Sequence, residues 1–266
     1  KVPIFTEIAS EFRYGDYKIT KKTLCIFLSQ SGETADTLAC VKKCKCKTLA
    51  ITNVPNSSIT FACKKTILMK AGWERAVAST KAYSCQLLIF YLLRCLLLDK
   101  QPHISSLINA VKKYLATLNM ETLSKNLLNY EKVMFIGRQG DFVTAKESAL
   151  KLKEISYLNC IACPSGELKH GTLAIVDNKT LVFMIATQKK LMSKNLLTKD
   201  EIEARGGKCL IASCFEGYDI KLPHTQSNFL PIISILPFQL LACNVSILKG
   251  YNPDKPRNLS KSVTVE

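Results

Sequence analysis

Short apolar runs alternate with longer amphipathic stretches along nearly the whole chain. This alternation is typical of βα units that build a parallel sheet covered by helices. It predicts strands at Leu24–Leu28, Thr48–Thr52, Thr66–Met69, Val133–Gly137, Leu181–Ala186 and Cys209–Ala212. It predicts helices at Thr34–Lys43, Ser79–Leu98, Ile104–Tyr130, Thr144–Tyr157, Lys189–Ala204 and Ile232–Lys249. The expected fold class is therefore α/β.

The two halves of the chain resemble each other. Ile26–Gln30 is similar to Met184–Gln188, and Gln86–Leu88 is similar to Gln239–Leu241, at nearly the same spacing. That spacing places the counterpart of Val133–Tyr157 before Lys1. We therefore expect two related lobes, of which the first lacks its opening strand and helix. The predicted domains are residues 1–110, residues 111–255 and a tail of residues 256–266.

Composition limits the class of protein. The 266 residues suffice for one large domain or two ordinary ones, and 47% hydrophobic content excludes a disordered chain. A net charge of +16 permits nucleic-acid binding, but the lysines are scattered and no recognition motif accompanies them. The longest apolar stretch is expected at Leu87–Leu98, which is broken by Arg94 and is too short to span a bilayer. Twelve cysteines at irregular spacing fit a reducing compartment, so we expect a cytoplasmic protein without membrane partners.

Hydroxyl side chains surround a glycine directly after the first predicted strand, in Ser29-Gln30-Ser31-Gly32-Glu33-Thr34. Hydroxyls and free backbone amides at a helix N-terminus suit a phosphate dianion. Ser31 or Thr34 could equally be simple helix caps. A second hydroxyl-rich turn, Val77–Lys81, precedes the next long helix in the same lobe. Two such turns in one lobe favour ligand binding over simple helix capping.

Acid and base side chains cluster in the second half. Lys151 and Glu154 share a helix face, which in isolation favours a surface ion pair of little energetic value. The glycine-bounded segment Gly166–Gly171 contains His170, a better catalytic candidate than His103 or His224 in their proline-containing surroundings. A lysine in a sheltered site, such as Lys261 of the tail, could serve as a Schiff-base nucleophile, although a mobile tail is the simpler reading.

Two cysteine-containing segments predict little chemistry. Cys160 and Cys163 match C-x-x-C without a second pair at zinc spacing. The lysine-rich segment Cys40–Lys47 is interpreted as a basic helix end that leads into the next strand. No metal site is expected.

Together these segments resemble the sugar-isomerase (SIS) part of the glutamine:fructose-6-phosphate amidotransferase family. The matching stretches are Glu7–Tyr14, Ser29–Leu38, Val77–Tyr83, Ala149–Tyr157, Gly166–Gly171 and Pro256–Glu266. The resemblance implies two flavodoxin-like lobes, each a three-layer α/β/α sandwich with a parallel sheet. It also implies conversion of fructose 6-phosphate and ammonia to glucosamine 6-phosphate, without a cofactor, in a homodimer.

The resemblance further implies roles for individual residues. Lys261 would form an imine with the sugar, Glu154 would move a proton between C1 and C2, and Lys151 would support Glu154. His170, contributed by the neighbouring subunit, would open the sugar ring. The substrate-binding residues implied in this way are Ser29, Gln30, Ser31, Thr34, Val77, Ser79, Glu147 and Ser260.

Departures from the family pattern qualify these expectations. The glutaminase domain that releases ammonia from glutamine is absent from this chain, as is the opening Cys-Gly-Thr-Ser segment of the first lobe. Trp73 and Arg75 put bulk and charge into the segment Gly72–Ala76, close to the expected sugar site. The alternative function is a sugar-phosphate-binding protein without catalysis, which would dispense with Glu154, His170 and Lys261.

Overall fold

Parallel strands form two separate sheets in the computed structural model, which describes residues 3–264. The first sheet has the order β1-β2-β3, with β1 at Leu24–Ser29, β2 at Lys47–Thr52 and β3 at Lys65–Leu68. The second has the order β5-β4-β6-β7-β8, and all its pairs are parallel. Its strands are β4 (Lys132–Gly137), β5 (Cys160–Pro164), β6 (Thr180–Ile185), β7 (Lys208–Ser213) and β8 (Ile220–Lys221). The predicted α/β class is confirmed.

Ten α-helices accompany these strands in the described part of the chain. They are α1 (Ala9–Phe12), α2 (Ala35–Lys43), α3 (Ser58–Ala62), α4 (Lys81–Leu97), α5 (Ile104–Thr117), α6 (Glu121–Leu127), α7 (Gly140–Ser156), α8 (Met192–Glu203), α9 (Leu230–Ile233) and α10 (Leu236–Leu248). The helical stretch predicted for roughly Ile104–Tyr130 is present as two helices, α5 and α6, because the chain leaves helical geometry at Leu118. The α7 helix also begins before Thr144, its predicted start.

The chain divides into two compact units. The first contains residues 1–90 and 258–266, and the second contains residues 91–257. The two terminal residues at each end, 1–2 and 265–266, lie outside the described residues. The division falls inside α4, earlier than the predicted lobe boundary at residue 110, and the predicted extents of the lobes stay predictions.

In the first unit, β1 lies at the edge of the described sheet. Its side chains alternate: Phe27 and Ser29 are buried, whereas Leu24, Ile26 and Leu28 are 53%, 39% and 43% exposed. In the second unit β6, the counterpart of β1 in the repeat, has β4 on that side. Within residues 3–264 the first sheet therefore has no strand in the position that β4 fills in the second.

Aromatic rings form the centre of the second unit. Phe135 of β4 and Phe183 of β6 are register partners whose ring centroids lie 5.0 Å apart. Phe238 of α10 packs edge-on against both, at 5.4 and 5.7 Å. All three side chains are fully buried. Such contacts add to the free energy of burial and fix α10 on the sheet beside α7.

One described helical segment, Leu230–Leu248, is long and apolar enough by length and composition to cross a membrane. It is longer than Leu87–Leu98, so the expectation that the latter is the longest apolar stretch is wrong. Its 19 residues comprise α9, a turn at Ser234 and Ile235, and α10, and 61% of its most apolar window is buried inside the structure. A core helix passes the same test, and the contacts of Phe238 show that α10 belongs to the core.

Candidate active site

The hydroxyl-rich turn of the first unit connects β1 to α2 and forms a small closed network. Ser29 is buried at the end of β1, and its Oγ lies 3.0 Å from Thr34 Oγ1 and accepts a bond from the Gly32 amide at 3.0 Å. Ser31 Oγ accepts a bond from the Glu33 amide at 3.2 Å. The Gln30 carbonyl accepts the Asn53 amide at 3.1 Å, which ties the turn to the end of β2. Three of the four predicted phosphate ligands thus carry hydroxyls in one turn at the start of a helix.

Thr34 occupies the N-cap position of α2 in extended geometry, yet its side chain makes no capping hydrogen bond. The simple capping interpretation of Thr34 therefore does not describe this structure. Its hydroxyl points instead to Ser29. A dianion placed at this turn would meet hydroxyl groups, backbone amides and the positive end of the α2 dipole.

Gly32 makes the turn possible, because its φ is +72° and a Cβ there would lie 2.1 Å from Ser57 Oγ. We expect Gly32→Ala to destabilise the fold by about 1–3 kcal/mol and to weaken phosphate binding, since both the backbone and Ser57 must shift. Gly140→Ala is the matched control, because nothing lies within 4 Å of its Cβ position. Urea unfolding measures the first effect and calorimetric titration with fructose 6-phosphate the second. Equal behaviour of the two variants would contradict this role for Gly32.

The Glu33 carboxylate links the turn to the start of α3. Glu33 accepts bonds from the Ser58 amide at 2.8 Å and the Ser58 hydroxyl at 2.6 Å. These bonds hold the pKa of Glu33 below its ordinary value. The Gly32 carbonyl accepts the Ile59 amide at 3.0 Å, so the start of α3 is fixed to the same turn.

The C-terminal tail returns to this unit and reaches both predicted substrate-binding turns. Lys261 Nζ donates to the Ala76 carbonyl at 2.7 Å, the Ser79 hydroxyl at 3.1 Å and the Val77 carbonyl at 3.4 Å. Two residues later, the Val263 carbonyl accepts the amide of Ala35, the first residue of α2, at 3.2 Å. The mobile-tail interpretation is therefore not what the structure shows for Lys261.

Ser260 lies in the same tail, but the hydrogen bond of its side chain stays within the tail. Its side chain is exposed and donates to the Ser262 carbonyl at 3.0 Å. Its predicted contact with substrate stays a prediction.

The segment Gly72–Ala76, which precedes α4, exposes its largest side chain to solvent. Trp73 is 79% exposed, and the Arg75 guanidinium lies 5.3 Å from the centre of its ring. Glu74, which lies between Trp73 and Arg75 in the sequence, is buried. Its carboxylate accepts a hydrogen bond from the Ala82 amide at 2.9 Å, which caps α4. The acid of this segment thus stabilises the helix that follows the Val77–Lys81 turn.

In the second unit, α7 presents three charged side chains on one face. Lys151 Nζ lies 2.6 Å from Glu154 Oε2 and 3.5 Å from Glu147 Oε1. Lys151 is only 5% exposed, so the interpretation as a surface ion pair is wrong. Burial raises the pKa of Glu147, while Lys151 lowers it and Glu154 raises it further. One buried cation between two carboxylates is an arrangement suited to proton transfer.

His170 lies on an exposed turn after β5, where its amide donates to the Glu167 carbonyl at 3.0 Å. The neighbouring Lys169 forms an ion pair with Glu201 of α8 at 2.6 Å. The structure therefore places His170 in an exposed turn of the second unit. Its action across a subunit interface stays a prediction.

The second unit has its own turn at the position equivalent to Ser29–Thr34, but a carboxylate fills it. Asp141 accepts bonds from the Thr187 amide at 3.0 Å and the Thr187 hydroxyl at 2.6 Å. Burial raises the pKa of Asp141, and these bonds oppose the rise. Because the Asp141 carboxyl already uses the Thr187 donors, the turn of the first unit is the better candidate for phosphate of these two equivalent turns.

Two contacts of the site carry no sequence signal of their own. The Val263 carbonyl at the N-terminus of α2 and the Ser58 bonds to Glu33 both join residues far apart in the chain. Asp141 could have been suspected, because it lies in the first turn of α7 and precedes Glu147 on the same helix.

The known proteins that are similar to this chain are consistent with one another. The SIS domain family matches residues 1–96 and 126–248. Glutamine–fructose-6-phosphate aminotransferase [isomerizing] of Caldanaerobacter subterraneus is 41% identical over 292 residues, and that of Bacillus subtilis is 40% identical over 285. Both matches cover 100% of this chain but only 48% and 47% of the relatives. The chain thus spans about half the length of the curated relatives it matches.

Solved structures show the same relationship. The C-terminal domain of glucosamine-fructose-6-phosphate aminotransferase from Francisella tularensis is 35% identical, with a TM-score of 0.83 over 96% of this chain and 79% of that one. Glucosamine-6-phosphate deaminase from Thermotoga maritima is 25% identical, with a TM-score of 0.84 over 96% and 80%. The chain therefore belongs to the SIS domain family, in the group that includes the C-terminal domains of the glutamine–fructose-6-phosphate aminotransferases.

Proposed function

We propose that this chain isomerises fructose 6-phosphate with incorporation of ammonia and so forms glucosamine 6-phosphate. The observation that carries the proposal is the joining of the Ser29–Thr34 turn to the tail of Lys261 through the bond from Ala35 to Val263. A phosphate-accepting turn and an amine nucleophile are thereby held in one unit. The choice of substrate rests on the relatives described above, since their names specify fructose 6-phosphate.

The proposed roles follow the chemistry of each group. Ser29, Ser31 and Thr34 bind the phosphate through their hydroxyls, with Gln30 beside them. Lys261 attacks C2 of the open sugar, forms an imine and releases water. Ammonia then replaces Lys261 at C2 and returns the lysine as a free amine. Val77 and Ser79 line the sugar, as does Glu147.

Proton movement completes the proposed reaction. The imine makes the C1 hydrogen more acidic, so a carboxylate can remove it and deliver a proton to C2. We assign this step to Glu154, with Lys151 stabilising the charge that develops on it. His170 opens the sugar ring before the imine forms. The product is a 2-amino aldose phosphate.

We further propose that the chain works as a homodimer in the cytoplasm, with His170 acting in the neighbouring subunit. The ammonia would come from a glutaminase domain outside these 266 residues. The product would enter the synthesis of UDP-N-acetylglucosamine. The names of the relatives, which begin with glutamine, support the ammonia source.

The test is conversion of fructose 6-phosphate by the purified chain with ammonium as the nitrogen donor. We expect glucosamine 6-phosphate, detected by mass spectrometry, with ammonium and none with glutamine. Glutamine-dependent synthesis by this chain alone would contradict the proposal. Binding of fructose 6-phosphate without conversion would instead identify the non-catalytic sugar-phosphate-binding protein.

A further inference from the structure

Three thiols from successive elements of the first unit meet at one point. Cys25 lies in β1, Cys44 directly follows α2 and Cys46 directly precedes β2. Their sulfur atoms all lie within 4.8 Å of one another, and those of Cys25 and Cys46 are 3.4 Å apart. The cluster lies at the opposite end of β1 from Ser29, so it is separate from the phosphate turn.

The spacing of the sulfurs suits a single metal ion. A thiolate sulfur binds such an ion at about 2.3 Å, so sulfurs that share one ion lie roughly 4 Å apart. The sulfurs of Cys25 and Cys46 lie slightly closer than this and the other separations do not exceed 4.8 Å, so a small rotation of each side chain would equalise them. Thiolates without oxygen ligands favour soft cations such as Cu(I) and Zn(II).

The surroundings of the cluster favour a metal over a reactive thiol. Cys46 is buried, and Cys25 and Cys44 are half-buried. Redox-sensing cysteines are solvent-accessible, whereas the shell around a buried metal site limits the access of solvent.

We propose that Cys25, Cys44 and Cys46 form a trithiolate site for a soft monovalent cation, Cu(I). Three sulfurs complete the coordination of Cu(I), whereas a structural zinc site requires four ligands. Among residues 3–264 no fourth histidine, cysteine or carboxylate belongs to this group. Binding forms three copper–sulfur bonds and releases three thiol protons to solvent. No oxidation state changes, and the bound cluster carries a charge of −2.

Binding at this site would join the three elements that support the phosphate turn. The cluster links the start of β1, the end of α2 and the start of β2. A metal that binds only the folded state stabilises that state. We therefore expect the largest gain in the free energy of unfolding in the first unit. That unit contains the edge strand β1 with its three exposed leucine and isoleucine side chains.

The experiment is anaerobic titration of the reduced chain with Cu(I), in the presence of a competing Cu(I) chelator. We expect one equivalent to bind, three thiols to become protected from a thiol reagent, an ultraviolet thiolate-to-copper band and a higher Tm. The variant Cys25→Ser/Cys44→Ser/Cys46→Ser should lose all four effects. The matched control is Cys85→Ser/Cys214→Ser/Cys243→Ser, three half-buried thiols outside the cluster, which should retain them.

Several results would overturn the proposal. Unchanged copper binding in the cluster variant would place the metal elsewhere. Tighter binding of Zn(II) than of Cu(I) in direct competition would refute the choice of cation. A Cys25–Cys46 disulfide as the sole outcome, with no metal retained by reduced protein, would refute the site itself. Should the triple variant fail to fold, Cys44→Ser alone must still lower the stoichiometry and the number of protected thiols.

Discussion

Replacing Glu154 by glutamine is expected to slow synthesis of glucosamine 6-phosphate by about 10²- to 10⁴-fold while leaving fructose 6-phosphate bound. Glutamine preserves the shape of the side chain but cannot accept the C1 proton. Glu154 Oε2 lies 2.6 Å from the buried Lys151 ammonium, so the substitution also leaves Lys151 without one of its two carboxylate partners. The measurements are steady-state kinetics with ammonium and calorimetric titration with the sugar phosphate.

The control for this substitution is Glu131→Gln, an exposed carboxylate of the same unit that pairs with Lys179. It should leave both the rate and the affinity unchanged. A separate assay strengthens the assignment: exchange of the C1 hydrogen with deuterated solvent should cease in Glu154→Gln. Persistent exchange at the original rate would remove Glu154 from the proton-transfer role, even if overall synthesis fell.

The sheets could be predicted from the sequence because their strands are apolar and long enough to be distinct. All six predicted strands exist, with ends that shift by one residue in most cases, as Lys132–Gly137 does for Val133–Gly137. The two strands missing from the prediction are β5 and β8. The β5 strand ends in a proline, a residue that argues against a central strand, and β8 has only two residues.

Breaks in helices were harder to foresee. No glycine or proline lies within Ile104–Tyr130, yet the helix ends at Thr117 and a new one begins at Glu121. Met120 is buried and accepts the Ser124 amide, so tertiary packing rather than local propensity sets the break. The α7 helix extends back to Gly140, and Asp141 in its first turn accepts bonds from Thr187, a contact with a distant segment that local propensity does not reveal.

The site was predictable in composition but not in arrangement. The sequence pointed to Ser29, Ser31, Thr34, Lys151 and Lys261 through residue type and family resemblance. It gave no means of seeing that Lys151 is buried or that Val263 contacts α2, because both depend on contacts between distant segments. The interpretation of Cys40–Lys47 as a basic helix end that leads into the next strand is confirmed, since α2 ends at Lys43 and β2 begins at Lys47. The thiol cluster could not be predicted from that segment alone, because the third thiol, Cys25, lies in a different strand.

Substituting Lys261 by arginine should abolish imine formation and lower the rate of synthesis by at least about 10³-fold, the scale of losing a covalent nucleophile. Arginine keeps the positive charge but cannot deprotonate, so it cannot attack C2. Its guanidinium also cannot reproduce the three bonds that Lys261 Nζ donates to Ala76, Val77 and Ser79. The direct measurement is reductive trapping with borohydride in the presence of fructose 6-phosphate, followed by mass spectrometry of peptides.

Lys255→Arg is the control, because Lys255 is exposed and directly precedes the tail. It should trap the sugar on Lys261 as the unaltered chain does. Equal trapping in Lys261→Arg would show that another lysine forms the imine. Lost trapping with retained phosphate affinity would separate the roles of the tail and the Ser29–Thr34 turn, since that turn binds phosphate through hydroxyls and amides that the substitution leaves in place. The amine and the phosphate site then act as distinct parts of one reaction, joined in the chain by Ser262, the residue between Lys261 and the α2 contact of Val263.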